Sequence, residues 1–103
     1  MQVPTFQSAA SEREELALIV EALSRIPRLA RLLQFLGDRY LEGRIDEITE
    51  YNIATEVFGR SRNSFDCATD SIARVEVHRL RKRLREYYES EGRFHNLQIT
   101  IPL

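Results

Sequence analysis

The chain has 103 residues, with 15 Lys/Arg against 16 Asp/Glu, a formal net charge of −1, 43% hydrophobic and 30% charged residues. That length holds one compact core and excludes separate catalytic and regulatory domains, while the apolar content excludes an intrinsically disordered chain. Cys67 is the one cysteine, which excludes an intramolecular disulfide, and no apolar run is long enough for a membrane span or placed as in a leader peptide, so a cytoplasmic location is expected.

Residues 1–10 have no periodicity and read as a flexible lead, leaving 11–103 as a single domain. Ser11 with Glu14 forms a capping-box pattern, and Leu16, Ile19, Val20 and Leu23 recur at helical spacing, so a first helix is predicted over about 12–24 with an acidic exposed side. Pro27 suits the first turn of a second helix, whose buried stripe is Leu29, Leu32, Leu33, Leu36 and Tyr40 and whose stop is Gly43. The segment "RIDEIT" at 44–49 puts Ile45 and Ile48 near a turn and has room for a very short strand. Thr49 then caps a third helix over "EYNIATEVFG", with Ile53, Ala54, Val57 and Phe58 inward and Gly59 as the stop.

Residues 60–69, "RSRNSFDCAT", read as a loop with Phe65 tucked against the core. Asp70 caps a fourth helix that has room to run to Gly92, its charge suiting the positive end of the helix dipole. In the tail, Leu97, Ile99 and Ile101 alternate with Gln98 and Thr100, which predicts a strand with one buried face. One strand needs a partner: residues 44–49, a strand beyond residue 103, or another molecule.

Charge is unevenly placed. Residues 1–59 hold six Arg against ten carboxylates (net −4), residues 60–85 hold eight Arg/Lys against three (+5), and residues 86–103 hold one against three (−2). Along the fourth helix, Ala73, Val77, Leu80, Leu84 and Tyr87 form one apolar seam. With that seam inward, Arg74, His78, Arg81 and Arg85 share an outward stripe, with Val75, Arg79 and Lys82 beside it.

Long charged side chains often do no more than cover the solvent side of a core helix. Against that, residues 74–85 carry six cations and a single acid, Glu76, where a merely soluble helix mixes signs at i and i+4. A short helix, a loop and then this stripe have the order of a DNA-reading helix pair, with arginine suited to guanine edges and Arg60 and Arg62 in the loop suited to phosphates. A sequence pI near 6.1 argues against indiscriminate coating of nucleic acid.

The motif order resembles the winged helix-turn-helix effector domains of OmpR/PhoB-type transcription regulators. Their recognition helix carries a run like "VDVHIRRLRKKL", and here "VEVHRLRKRL" spans Val75 to Leu84. The similarity is closer to a branch found at the N-terminus of bacterial sensor-like proteins with tetratricopeptide or cyclase-like regions, and it covers about residues 25–103. Its pieces are Arg28 to Leu36, Glu50 to Arg60, Asp70 to Tyr88, Gly92, and Ile99 to Pro102.

The resemblance implies a mainly α fold with a small β element: a three-helix core, an extra N-terminal helix, and a wing left incomplete because the chain stops at "ITIPL". It further implies sequence-specific duplex DNA binding as the output domain of a bacterial signal-transducing regulator, the recognition helix spanning about 70–91. Aligned on "LRK", which keeps the seam in phase, it puts Arg74, Val75, His78, Arg79 and Arg81 against DNA. A homodimer and a C-terminal sensor or repeat region are further expected partners.

No catalytic role is expected, nor a metal or cofactor, because Cys67, His78 and His95 lie at no ligand spacing and in no nucleophile framework. Cys67 reads as a loop or half-buried thiol, His95 as a residue leading into the strand, and Glu76 as an intrahelical partner of Arg79 or Lys82. The competing reading is a winged-helix protein-interaction or dimerisation module without DNA binding, using the acidic first helix and the terminal strand.

Overall fold

The computed structural model describes residues 9–102, with side chains from Ser11 onward; the lead assigned to residues 1–10 therefore lies mostly outside the described residues. In chain order the helices are α1 (Ala9–Ala22), α2 (Pro27–Leu41), α3 (Glu50–Asn52) and α4 (Ile72–Glu89). A 3-10 turn occupies Ile45–Glu47, and a π-helical stretch at Ile53–Val57 continues α3.

The element ends have local causes. Helix α1 begins before Ser11, so the Ser11/Glu14 pair lies inside the helix and is not its cap. Helix α2 starts at Pro27, whose missing N–H costs nothing at a first turn, and closes before Gly43, which takes φ +73°. Thr49 Oγ1 accepts from the Asn52 N–H at 3.0 Å and caps α3 as its position predicts.

Asp70 Oδ1 accepts from the Ile72 N–H at 3.0 Å, and Arg60 Nε donates to Oδ2 at 2.8 Å. These two bonds, Arg60 first, hold the Asp70 carboxyl below the usual carboxylate range. Helix α4 ends at Glu89, short of the expected Gly92. Gly92 instead folds beneath the preceding tyrosines, where a Cβ would collide with the rings of Tyr87 and Tyr88.

The core sits between α1, α2 and α4. Ile19, Leu32, Leu33, Leu80 and Leu84 are fully buried, joined by Leu16, Leu23, Leu29, Ile53 and Ala73. Each such Leu or Ile side chain contributes about 1.5–3 kcal/mol through removal from water. On α4, Ala73, Leu80 and Leu84 are buried as the seam requires, Val77 and Tyr87 are half-buried, and Glu76 and Tyr88 are buried in their place. On α2 the stripe holds as far as Leu36, but Tyr40 is 57% exposed and is not a core residue.

The expected β element is absent: among the described residues there are four helices and no strand. A winged helix-turn-helix needs a β-hairpin wing, so this finding overturns the winged fold with its incomplete wing and the likeness to OmpR/PhoB-type effector domains. Sequence-specific DNA binding as the output domain of a bacterial transcription regulator, and the winged form of the interaction module, fall with it.

The physical reason lies in side chains that take the place of a ladder. Arg44 grips Glu47 through two bonds at 2.8 and 2.7 Å, and Asn52 Nδ2 donates to the Glu47 carbonyl at 2.8 Å, which curls 44–49 into a turn. The same Arg44 fork holds the Glu47 carboxyl below its ordinary range. Within residues 97–101 the Ile99 N–H and the Ile101 C=O are bonded to side chains of α4, and no second strand pairs with them among the described residues.

Helices α1 and α2 approach closely at Gly37, where an added Cβ would stand 2.5 Å from Leu16 Cδ2. Gly37→Ala is therefore expected to lower the unfolding free energy by about 1–3 kcal/mol through overpacking, read from urea denaturation. A rise in stability, as at an open helical glycine, would contradict that close approach.

Candidate functional site: a groove beside the C-terminal segment

A buried polar knot joins α1, α4 and the tail. The Tyr88 hydroxyl donates to Glu15 Oε2 at 2.7 Å, and His95 Nδ1 lies 2.7 Å from the same oxygen, placed to donate to it. The Ile99 N–H in turn donates to the Tyr88 hydroxyl at 3.0 Å. Glu15 and Tyr88 are only 8% and 7% exposed, so each depends on the other for hydrogen bonding. Burial, with the Glu15 carboxylate next, pushes the Tyr88 phenol well above its ordinary range. Tyr87, Tyr88 and His95 close the knot with edge-to-face ring contacts at 5.3 to 6.1 Å.

Four residues before Arg85, Arg81 makes the second fastening. Its Nε donates to the Ile101 carbonyl at 2.8 Å and its Nη2 to the Pro102 carbonyl at 3.0 Å. The segment between the fastenings alternates as an extended chain does: Leu97, Ile99 and Ile101 are half-buried, Gln98 and Thr100 exposed.

In an extended chain the N–H and C=O of one residue point to the same edge, and those of its neighbours to the opposite edge. The Ile99 N–H and the Ile101 C=O both face α4. Extended alternation over residues 98–101 turns the N–H and C=O groups of Gln98 and Thr100 away from α4; it ends at Pro102, whose C=O meets the same Arg81. No hydrogen bond among the described residues engages the backbone of Gln98 or Thr100.

Along this segment lies a groove of about 630 Å³. It is lined from α1 and α2 by Glu12, Glu15, Leu16, Leu33, Leu36 and Gly37, on one wall by Tyr40, Leu41, Ile45 and Ile48, and on the other by residues 97–102. The wall at 40–48 is held in place by charge: Arg39 reaches from α2 to Glu47 at 3.2 Å and Glu56 at 2.9 Å, while Arg44 ties Glu42 to Glu47. Tyr40 and Ile45 are 57% and 58% exposed, which leaves apolar surface open to water at the rim.

The basic residues singled out in the sequence are placed otherwise than as one free stripe. Arg74 pairs with Glu50 and also donates to the Cys67 carbonyl, Arg79 pairs with buried Glu76 at 3.1 Å, Arg60 is held by Asp70, and Arg81 turns back onto the tail. Val75, His78, Lys82 and Arg85 remain exposed on α4, and Arg62, exposed in the loop, gives its carbonyl to the Tyr51 hydroxyl. Cys67 is exposed in the loop, and Phe65 is half-buried edge-on to Tyr51.

Among the described residues no group of His, Cys, Asp and Glu is placed to hold a metal ion, and no helix is long and apolar enough to cross a membrane. No protein-family model, no curated protein and no solved structure matches this chain.

The sequence reading missed Glu15 and Tyr88 as a pair because 73 residues separate them, and Glu15 resembles its exposed acidic neighbours. One signal was present: Glu15 precedes Leu16 and lies four residues before Ile19, on the edge of the buried stripe.

Tyr88→Phe leaves the Glu15 carboxylate and the Ile99 N–H short of a partner and is expected to cost about 1–3 kcal/mol at neutral pH. The pH dependence has a definite sign. A phenol raised on folding contributes fully below its unfolded value, near 10, and its contribution is lost as pH rises through the folded value. Alkaline titration of unfolding should give a fall above about pH 10 that is smaller in Tyr88→Phe than in the parent.

Proposed function

We propose that this chain is a protein-interaction module whose groove between residues 45–48 and 97–102 receives a segment of another protein. The observation that carries the reading is an open apolar groove with one wall made of backbone whose outward groups have no hydrogen-bond partner among the described residues. Apolar surface left at a rim and unpaired backbone beside it are the two features that a protein segment satisfies together.

The distribution of charge supports the groove over the outer face of α4. Arg60, Arg74, Arg79 and Arg81 engage their guanidinium groups within the molecule, so four of the cations expected to reach outward are already occupied. The groove's own wall residues, Tyr40 and Ile45, make no comparable internal contact through most of their surface.

Selection of a displayed random-peptide library on the intact chain tests this reading. Enriched peptides should bind Ile45→Asp and Tyr40→Asp at least about tenfold more weakly, a loss of about 1.4 kcal/mol, while Lys82→Ala binds as the parent does. Both groove positions are exposed, so the variants keep the fold, checked by circular dichroism. Peptides that bind the groove variants unchanged, or that lose affinity only with Lys82→Ala, would contradict it.

A further inference from the structure

The groove offers more than apolar surface, because its wall at 97–102 has a defined hydrogen-bonding edge. With the Ile99 N–H and the Ile101 C=O bonded to α4, extended alternation over 98–101 leaves the two N–H donors and two C=O acceptors of Gln98 and Thr100 on the other side, and among the described residues no hydrogen bond engages them. The opposite edge of the same segment is already anchored by Tyr88 and Arg81, so this wall cannot easily peel away or rotate. An anchored edge with free groups on one side is a template for one added strand.

Resting on the reading that the groove is the binding site, we infer that its occupant is a single extended, basic peptide segment of another protein. It pairs through backbone hydrogen bonds with Gln98 and Thr100 and directs alternate apolar side chains onto Leu36 and Ile48. A strand has side chains on two faces, so one face meets the apolar lining while the other stays in water, which calls for alternation of apolar and polar residues in the partner.

Charge decides the rest of the partner's chemistry. Glu12 lines the groove and Asp46 lies in the adjoining turn, and among the described residues no ion pair engages either. Arg44 nearby is already shared between Glu42 and Glu47. Two carboxylates without an ion pair among the described residues, Glu12 lining the groove and Asp46 in the adjoining turn, are complemented by lysine or arginine flanking the apolar positions. A second copy of this chain fits less well, since the extended segment it would contribute, "NLQITIP" at 96–102, carries no charge.

A helical partner is disfavoured on the same grounds. A helix satisfies its own backbone and would leave the donors and acceptors of Gln98 and Thr100 unmet while covering them.

The test uses the whole 103-residue chain and a synthetic nine-residue probe in which valine and threonine alternate between terminal lysines. Two further versions carry N-methyl groups on alternate amides, one version for each edge of the strand. Two-dimensional amide NMR follows each titration, with sedimentation of the chain alone at the same concentration.

Binding should move the Gln98 and Thr100 amide resonances and slow their exchange, and methylation of one edge only should weaken binding at least about tenfold, or about 1.4 kcal/mol. Equal affinity of both methylated probes, with shifts at Leu36 and Gly37 but none at Gln98 and Thr100, would overturn strand pairing while the groove reading stands. Shifts confined to residues outside the groove would overturn both. A dimer in the absence of probe, with Gln98 and Thr100 already protected, would make a second copy the occupant and overturn the assignment to another protein.

Discussion

The hydrogen bonds that converge on Glu15 and Tyr88 decide the shape of the rest. One carboxylate oxygen on α1 meets both the Tyr88 hydroxyl and His95, and the hydroxyl then receives the Ile99 N–H, so three distant parts of the chain meet at one buried point. Burial makes the arrangement all or nothing, because a carboxylate or phenol left unpaired there loses its solvation without compensation. Once the knot is tied, the tail has to run alongside α4 with the Ile99 side turned inward. Arg81 completes the line one helical stretch earlier, at Ile101 and Pro102. The groove is what remains between this fastened tail and the turn at 45–48.

Much of the helical framework was legible because single residues enforce it. Pro27 and Gly43 bound α2 through fixed φ and a positive φ, and Thr49 caps α3, all from chemistry that acts within a few residues. The seam of α4 was legible from spacing alone, and only its inner members, Glu76 and Tyr88, shifted by one position. The intrahelical pair of Glu76 with Arg79 was legible from its spacing, but the burial of Glu76 was not, since its second cation, Arg28 at 3.9 Å, comes from another helix.

The tail was the instructive error. Alternation of Leu97, Ile99 and Ile101 reports a chain with one face buried, and that much is correct. It carries no information about what satisfies the backbone, and here side chains of α4 do so in place of a neighbouring strand. The strand assignment and the wing followed from the missing distinction; the DNA-reading function rested on the cationic stripe of α4, the order of the helices and the family resemblance, and fell with the wing. Arg81 belongs to the same lesson: its place in a cationic run suggested an outward reader, whereas its guanidinium holds the tail. Charge runs identify where cations lie along the chain, and tertiary partners then decide which of them face outward.

The central claim is that residues 97–101 are fastened along one edge and open along the other. Amide hydrogen exchange of the unliganded chain, resolved residue by residue, tests this most directly. The Ile99 amide should exchange at least about tenfold more slowly than those of Gln98 and Thr100, which should exchange near the rate of an unstructured chain. Comparable protection at Gln98, Ile99 and Thr100 would mean that both edges are paired and that no open edge exists. Rapid exchange at all three would mean that Tyr88 does not hold the tail, and the groove would lose one wall.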